Sequence, residues 1–151
     1  MSVSLYGSGQ TVIQTLGTNA QYSVTYASVS TGGSFASTGL SVTITPQSTT
    51  SKIVIYVSGS VYNTTSTGGC ITIYRNGTNL STGGTISGMM GSPNGAPGAG
   101  NCIFFDSPAS TSALTYTVYA GSSSGTCYFG YDPGMTNSGT VSIVVQEISG
   151  S

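Results

Sequence analysis

Leu40, Val42 and Ile44 alternate with Ser41, Thr43 and Thr45 until Pro46 stops the run, and this two-residue period recurs down the chain. Alternation puts every second side chain on one face of an extended strand, so half of each segment packs and half meets solvent. Ile53, Ile55 and Val57 repeat the pattern behind Lys52, as do Leu114, Tyr116 and Val118, and then Val141, Ile143 and Val145 in the segment ending at Ile148. Residues 11–16, Gln21 to Val29, Cys102 to Phe105 and Thr126 to Tyr131 are further apolar or aromatic runs of strand length. Ile71 and Ile73 lead into Asn76-Gly77, the dipeptide that favours a two-residue type I′ hairpin turn. Gly, Ser, Thr, Asn and Pro fill the intervals, and no stretch sustains the i, i+3, i+4, i+7 spacing of a helix. Eight or nine strands joined by short turns predict an all-β single domain over residues 11–149, an antiparallel β-sandwich of jelly-roll type.

At 151 residues the chain can bury a core. Its charge content limits its chemistry far more than its length does. Only 3% of residues are charged, against roughly 25% in an ordinary soluble domain. Two basic residues, Lys52 and Arg75, cannot neutralise a phosphate backbone or hold an anionic bilayer, so neither nucleic acid nor membrane is an expected partner. About a third of the chain is Ser or Thr, so the surface is wetted by hydroxyls rather than charges. A surface of that kind leaves sheet edges at risk unless they are paired, which assembly with other copies achieves. The N-terminus has no basic segment followed by an apolar stretch, so a secretory leader is not expected and folding in a reducing cytoplasm is.

Catalysis lacks its usual groups. There is no histidine, which removes the commonest general base and the partner of most serine and cysteine nucleophiles. Asp106 in Asp-Ser-Pro and Asp132 in Asp-Pro-Gly read as turn residues bonding their own backbone. Glu147 closes the last strand, where an ion pair with Lys52 would be worth little if exposed. Arg75, next to Asn-Gly, reads as a solvated hairpin residue. Cys70, Cys102 and Cys127 lie in or beside apolar runs and read as small buried hydrophobes. Without a CxxC pair or a histidine they form no zinc set, and no cofactor or metal is expected. Ten tyrosines offer rings that stack on sugars where exposed, but Tyr56, Tyr74, Tyr116, Tyr119 and Tyr128 fall within strands, where aromatic rings serve sheet packing. The chain is expected not to be an enzyme.

Two segments stand outside the strand pattern. Residues 82–101 form a long Gly/Pro-rich loop carrying Met89 and Met90. Adjacent methionines there would make an adaptable contact surface if exposed, or would tuck onto the nearest sheet. Residues 1–10 read as an extended arm, with Val3, Leu5 and Tyr6 as its apolar docking side chains.

Several motifs in order carry a resemblance: LSVTITP at 40–46, STTSKI at 48–53, IYRNGT at 73–78, FDSPA at 105–109, LTYTV at 114–118 and VQEI at 145–148. Across residues 10–148 the chain resembles a β-domain of tailed-phage virion proteins, frequent in cyanophages, that occurs in tail fibres and capsid decoration proteins. The resemblance implies a jelly-roll-like domain that forms homotrimers and carries no catalytic residues. Fibre proteins place such a domain at the end of a long shaft, whereas here it fills nearly the whole chain. That favours a trimeric capsid decoration, or cement, protein located in the virion and holding the major capsid protein through its arm. The alternative is a tail-fibre or spike tip binding a host surface glycan.

Overall fold

The computed structural model describes residues 10–21, 35–64, 69–81, 90–91, 98–122, 125–130 and 139–150. Within them the chain forms strands β1 (Val12–Gln21), β2 (Phe35–Ile44), β3 (Lys52–Asn63), β4 (Gly69–Arg75) and β5 (Thr78–Asn79). These are followed by β6 (Met90–Gly91), β7 (Gly98–Asp106), β8 (Leu114–Ser122), β9 (Cys127–Phe129) and β10 (Thr140–Ile148). No helix occurs among the described residues. The protein is all-β, as its alternation predicts.

The strands build two antiparallel sheets. The first runs β1-β10-β3-β7, with β9 paired to the far end of β3. The second runs β2-β8-β4-β5, with β6 also on β4. Sequence neighbours from β1 to β4 change sheet at every step, so most ladder partners are distant in sequence. β1 pairs with β10 from Val12 opposite Ile148 to Gln21 opposite Thr140.

The inward residues of both sheets face one another and make the core. Ile53, Ile55 and Val57 from β3 and Val141, Ile143 and Val145 from β10 meet Val42 and Ile44 from β2, Ile71 and Ile73 from β4, and Tyr116 and Val118 from β8. Burial of each such side chain contributes about 1.5–3 kcal/mol, and together they are the main stabilising term. Gly59 marks a close approach within the core. A Cβ there would lie 2.7 Å from the Phe129 ring and 2.8 Å from Val141, so the bare backbone makes room for the ring.

Local signals fix the turns. Asn76 and Gly77 both have positive φ, 47° and 84°, which is the type I′ geometry that their sequence predicts. Arg75 and Thr78 pair directly across that turn. The turn is also tied sideways, since Asn76 N–H donates to the Thr115 carbonyl at 2.9 Å and Asn76 Oδ1 accepts from Thr115 N–H at 2.8 Å. In β2 the ladder slips between Ser37 and Ser41. Gly39 there has φ 80°, and the Thr38 hydroxyl donates to the Val118 carbonyl at 2.8 Å.

One expectation needs adjustment. The 82–101 loop is shorter than its composition suggests, because β7 already begins at Gly98 and Met90–Gly91 bridges to Cys70 and Ile71. Glycine and alanine there lack the side chains that would have announced a strand. The Cys102–Phe105 run is not uniformly buried, since Cys102 faces the core while Ile103 and Phe105 face out. Most of the strand expected from Gln21 to Val29 lies outside the described residues, as do the arm residues Val3, Leu5 and Tyr6 and the loop residue Met89.

Candidate functional site

Three of the five charged residues, Arg75, Asp106 and Glu147, are drawn into the fold. Asp106 ends β7 and is buried beneath the second sheet rather than turned back on its own loop. Arg75 Nη1, from the end of β4, donates to both of its carboxylate oxygens at 2.7 Å, and the Tyr116 hydroxyl of β8 donates to Oδ2 at 2.7 Å. Tyr116 is fully buried. Its hydroxyl is held far above its usual pKa by burial and by the hydrogen bond to and charge of Asp106, with Arg75 opposing. This cluster joins the two sheets at one end, and it overturns both the turn reading of Asp106 and the solvated reading of Arg75. The pairing spans thirty-one positions of sequence, so the local Asp-Ser-Pro and Arg-Asn-Gly signals say nothing of it.

Glu147 is not paired with Lys52. Lys52 points from the outer face of β3 and donates to the Ser107 hydroxyl at 3.0 Å, while Glu147 faces inward with no exposed surface. Its carboxylate accepts from the Gln14 side-chain amide at 2.6 Å and from Gln47 N–H at 2.7 Å. The buried Ser51 hydroxyl lies beside it outside hydrogen-bond geometry. Burial alone would raise the pKa of Glu147. The favourable influence of Ser51, the Gln14 amide and the Gln47 and Ser48 N–H groups outweighs that and lowers it. The effect is to pin β1 and the β2–β3 loop to the end of β10.

The two carboxylates flank the same residue. Glu147 and Asp106 both sit opposite Ile53 in the ladder, one on each side. Ile53 is fully buried. Two strand spacings put the carboxylate backbones about 10 Å apart, but each acid is already used as an acceptor for structural donors. Asp132 lies outside the described residues. Cys102 and Cys127 are buried, burial pushes the Cys102 thiol pKa up, and both fit the role of small core side chains. The side chain of Cys70 is outside the described set.

No protein-family model and no curated protein matches this chain.

What the fold presents outward, among the described residues, is two sheet faces on which Lys52 is the single charge. On the second sheet, Tyr74 and Tyr119 stack with ring centroids 3.8 Å apart, and Phe35 meets Tyr74 edge-on at 6.5 Å. Hydroxyl pairs surround them, such as Thr43 with Thr115 at 2.8 Å.

On the first sheet, the outward side chains form rows across the strands. Phe105 stands beside Val54 and Gln146, and Ile103 stands beside Tyr56 and Val144. Val54 is buried within its row, but Ile103 and Phe105 are 62% and 64% exposed. A hollow of about 230 Å3 opens next to them, bounded by Tyr56, Ser58, Asn101, Ile103, Ser142 and Val144. Lys52 is the single charge on this face among the described residues. Sequence reading missed Ile103 and Phe105. The available signal was four apolar residues in a row, which in a strand means an apolar outer face as well as an inner one.

Proposed function

We propose that this chain is a non-enzymatic structural protein of a tailed-phage virion, a trimeric jelly-roll domain that decorates the capsid and holds its subunits. One observation carries the self-assembly in this reading: an almost uncharged sheet face on which Ile103 and Phe105 are more than half exposed. Exposed apolar side chains clustered on one face mark a contact surface. The jelly-roll assignment is supported by the strand order, since β1-β10-β3-β7 against β2-β8-β4 with β5 and β6 is the interleaving that two Greek keys produce. The use of Asp106 and Glu147 as buried acceptors supports a structural role over a hydrolytic one. The phage assignment rests on the ordered sequence motifs, and the arm contact on Val3, Leu5 and Tyr6.

The test is a cosedimentation assay with capsids lacking the protein. Full-length protein is expected to bind the shell in many copies, and a chain without residues 1–10 is expected to stay folded and remain in solution. Normal decoration by the shortened chain would remove the arm from the mechanism. Localisation to the tail instead would favour the second reading, a fibre tip binding a neutral glycan. The Phe35, Tyr74 and Tyr119 cluster favours that alternative, since aromatic rings among hydroxyl side chains suit an uncharged sugar.

A further inference from the structure

The first sheet's outer face carries both a projection and a recess. Phe105 projects from edge strand β7 with 64% of its surface exposed. Two residues back, Ile103 forms the rim of the 230 Å3 hollow that continues across β3 to Ser142 and Val144 of β10. A cavity of about 150 Å3 accommodates a benzene ring, so the hollow has room for a phenyl group. We infer that the occupant is Phe105 of a second copy of this chain, each copy giving one ring and receiving one. This rests on the self-assembly half of the function proposed above and names the surface that performs it.

Size and charge both fit such a contact. Four strands about 4.8 Å apart and nine residues of about 3.3 Å rise make a face roughly 19 by 30 Å. That is about 570 Å2 in projection, below the roughly 800 Å2 each partner contributes to a standard interface and in the range of weaker contacts. With Lys52 the single charge on the described face and a net charge of -1 for the whole chain, two copies meet with little repulsion. Strand β7 adds a reason for the location. Among the described residues it pairs only with β3, and it has neither a proline nor an outward charge to protect its free edge.

Sedimentation of the full chain separates the outcomes. The native protein is expected to associate. Phe105→Lys removes the projection and Ser142→Trp fills the hollow, and each is expected to weaken association roughly 10- to 100-fold with unchanged circular dichroism. Ser41→Lys, on the outer face of the other sheet, is expected to leave association intact. Mixing the two defective chains is the decisive arm. Phe105→Lys still has a hollow and Ser142→Trp still has a ring, so together they should form one-to-one pairs that neither forms alone. If both variants associate like the native chain, the interface is wrong, while capsid binding by the native chain would leave the virion assignment standing. A native chain that associates through this face yet binds no particle would support the interface and remove the virion assignment.

Discussion

Replacing Asp106 with alanine removes the one acceptor shared by Arg75 and Tyr116, and the structure allows the cost to be estimated. The Tyr116 hydroxyl has no exposed surface, so stranding it costs about 2 kcal/mol. Arg75 keeps 28% of its side chain exposed and can turn to water, which limits its share to about 1 kcal/mol. The vacated carboxylate volume adds about 1 kcal/mol. Asp106→Ala should therefore lose about 4 kcal/mol, and Tyr116→Phe, which leaves the ion pair in place, about 1.5 kcal/mol. In the double variant no hydroxyl is stranded, so the loss should be about 3.5 kcal/mol rather than the sum, a coupling of about 2 kcal/mol. Urea unfolding at neutral pH measures all three. With a slope near ~2 kcal/mol/M, Asp106→Ala moves the midpoint by about 2 M. Additive losses, with coupling below about 0.5 kcal/mol, would refute the shared acceptor.

Glu147 predicts an acid limb. Its folded pKa lies below the ordinary 4.5, so its contribution is present above pH 4.5 and is lost as the pH falls through the folded value. Glu147→Gln should lower stability at pH 7 and flatten the decline below pH 4.5 in denaturant titrations, and parallel curves for the two proteins would contradict the caged carboxylate. Gly59→Ala should destabilise by about 1–3 kcal/mol through overpacking against Phe129 and Val141. Phe129→Leu in the same chain should return part of the lost Tm, because it shortens the side chain that clashes.

Much of the sandwich is legible in the sequence because its determinants are local. Period-2 runs at Leu40–Ile44, Ile53–Val57 and Leu114–Val118 state which side chains face inward, and Asn76-Gly77 states its own turn. The sites are less legible because they join residues far apart in the chain. Asp106 and Arg75 each sit beside a strong turn signal, yet what decides their role is the meeting of two sheets at that end. Glu147 is likewise defined by Gln14 and Gln47, partners supplied by the first strand and a distant loop. Gly98–Gly100 carries no strand signal, since its place in β7 comes from pairing with Gly59–Val61.

The placement of β10 between β1 and β3 has a consequence for biosynthesis. Strand β10 is an inner member of its sheet, so among the described strands β1 has no ladder partner until translation has passed Thr140. A chain released early lacks the strand that joins the first to the third, and loses Glu147 as the anchor for Gln14 and Gln47. Long-range closure of this kind is slow, and until it occurs an almost uncharged chain leaves strand edges open to neighbours. Interrupted products are thereby marked by the fold itself, because the sheet cannot close around β1 before β10 has been made.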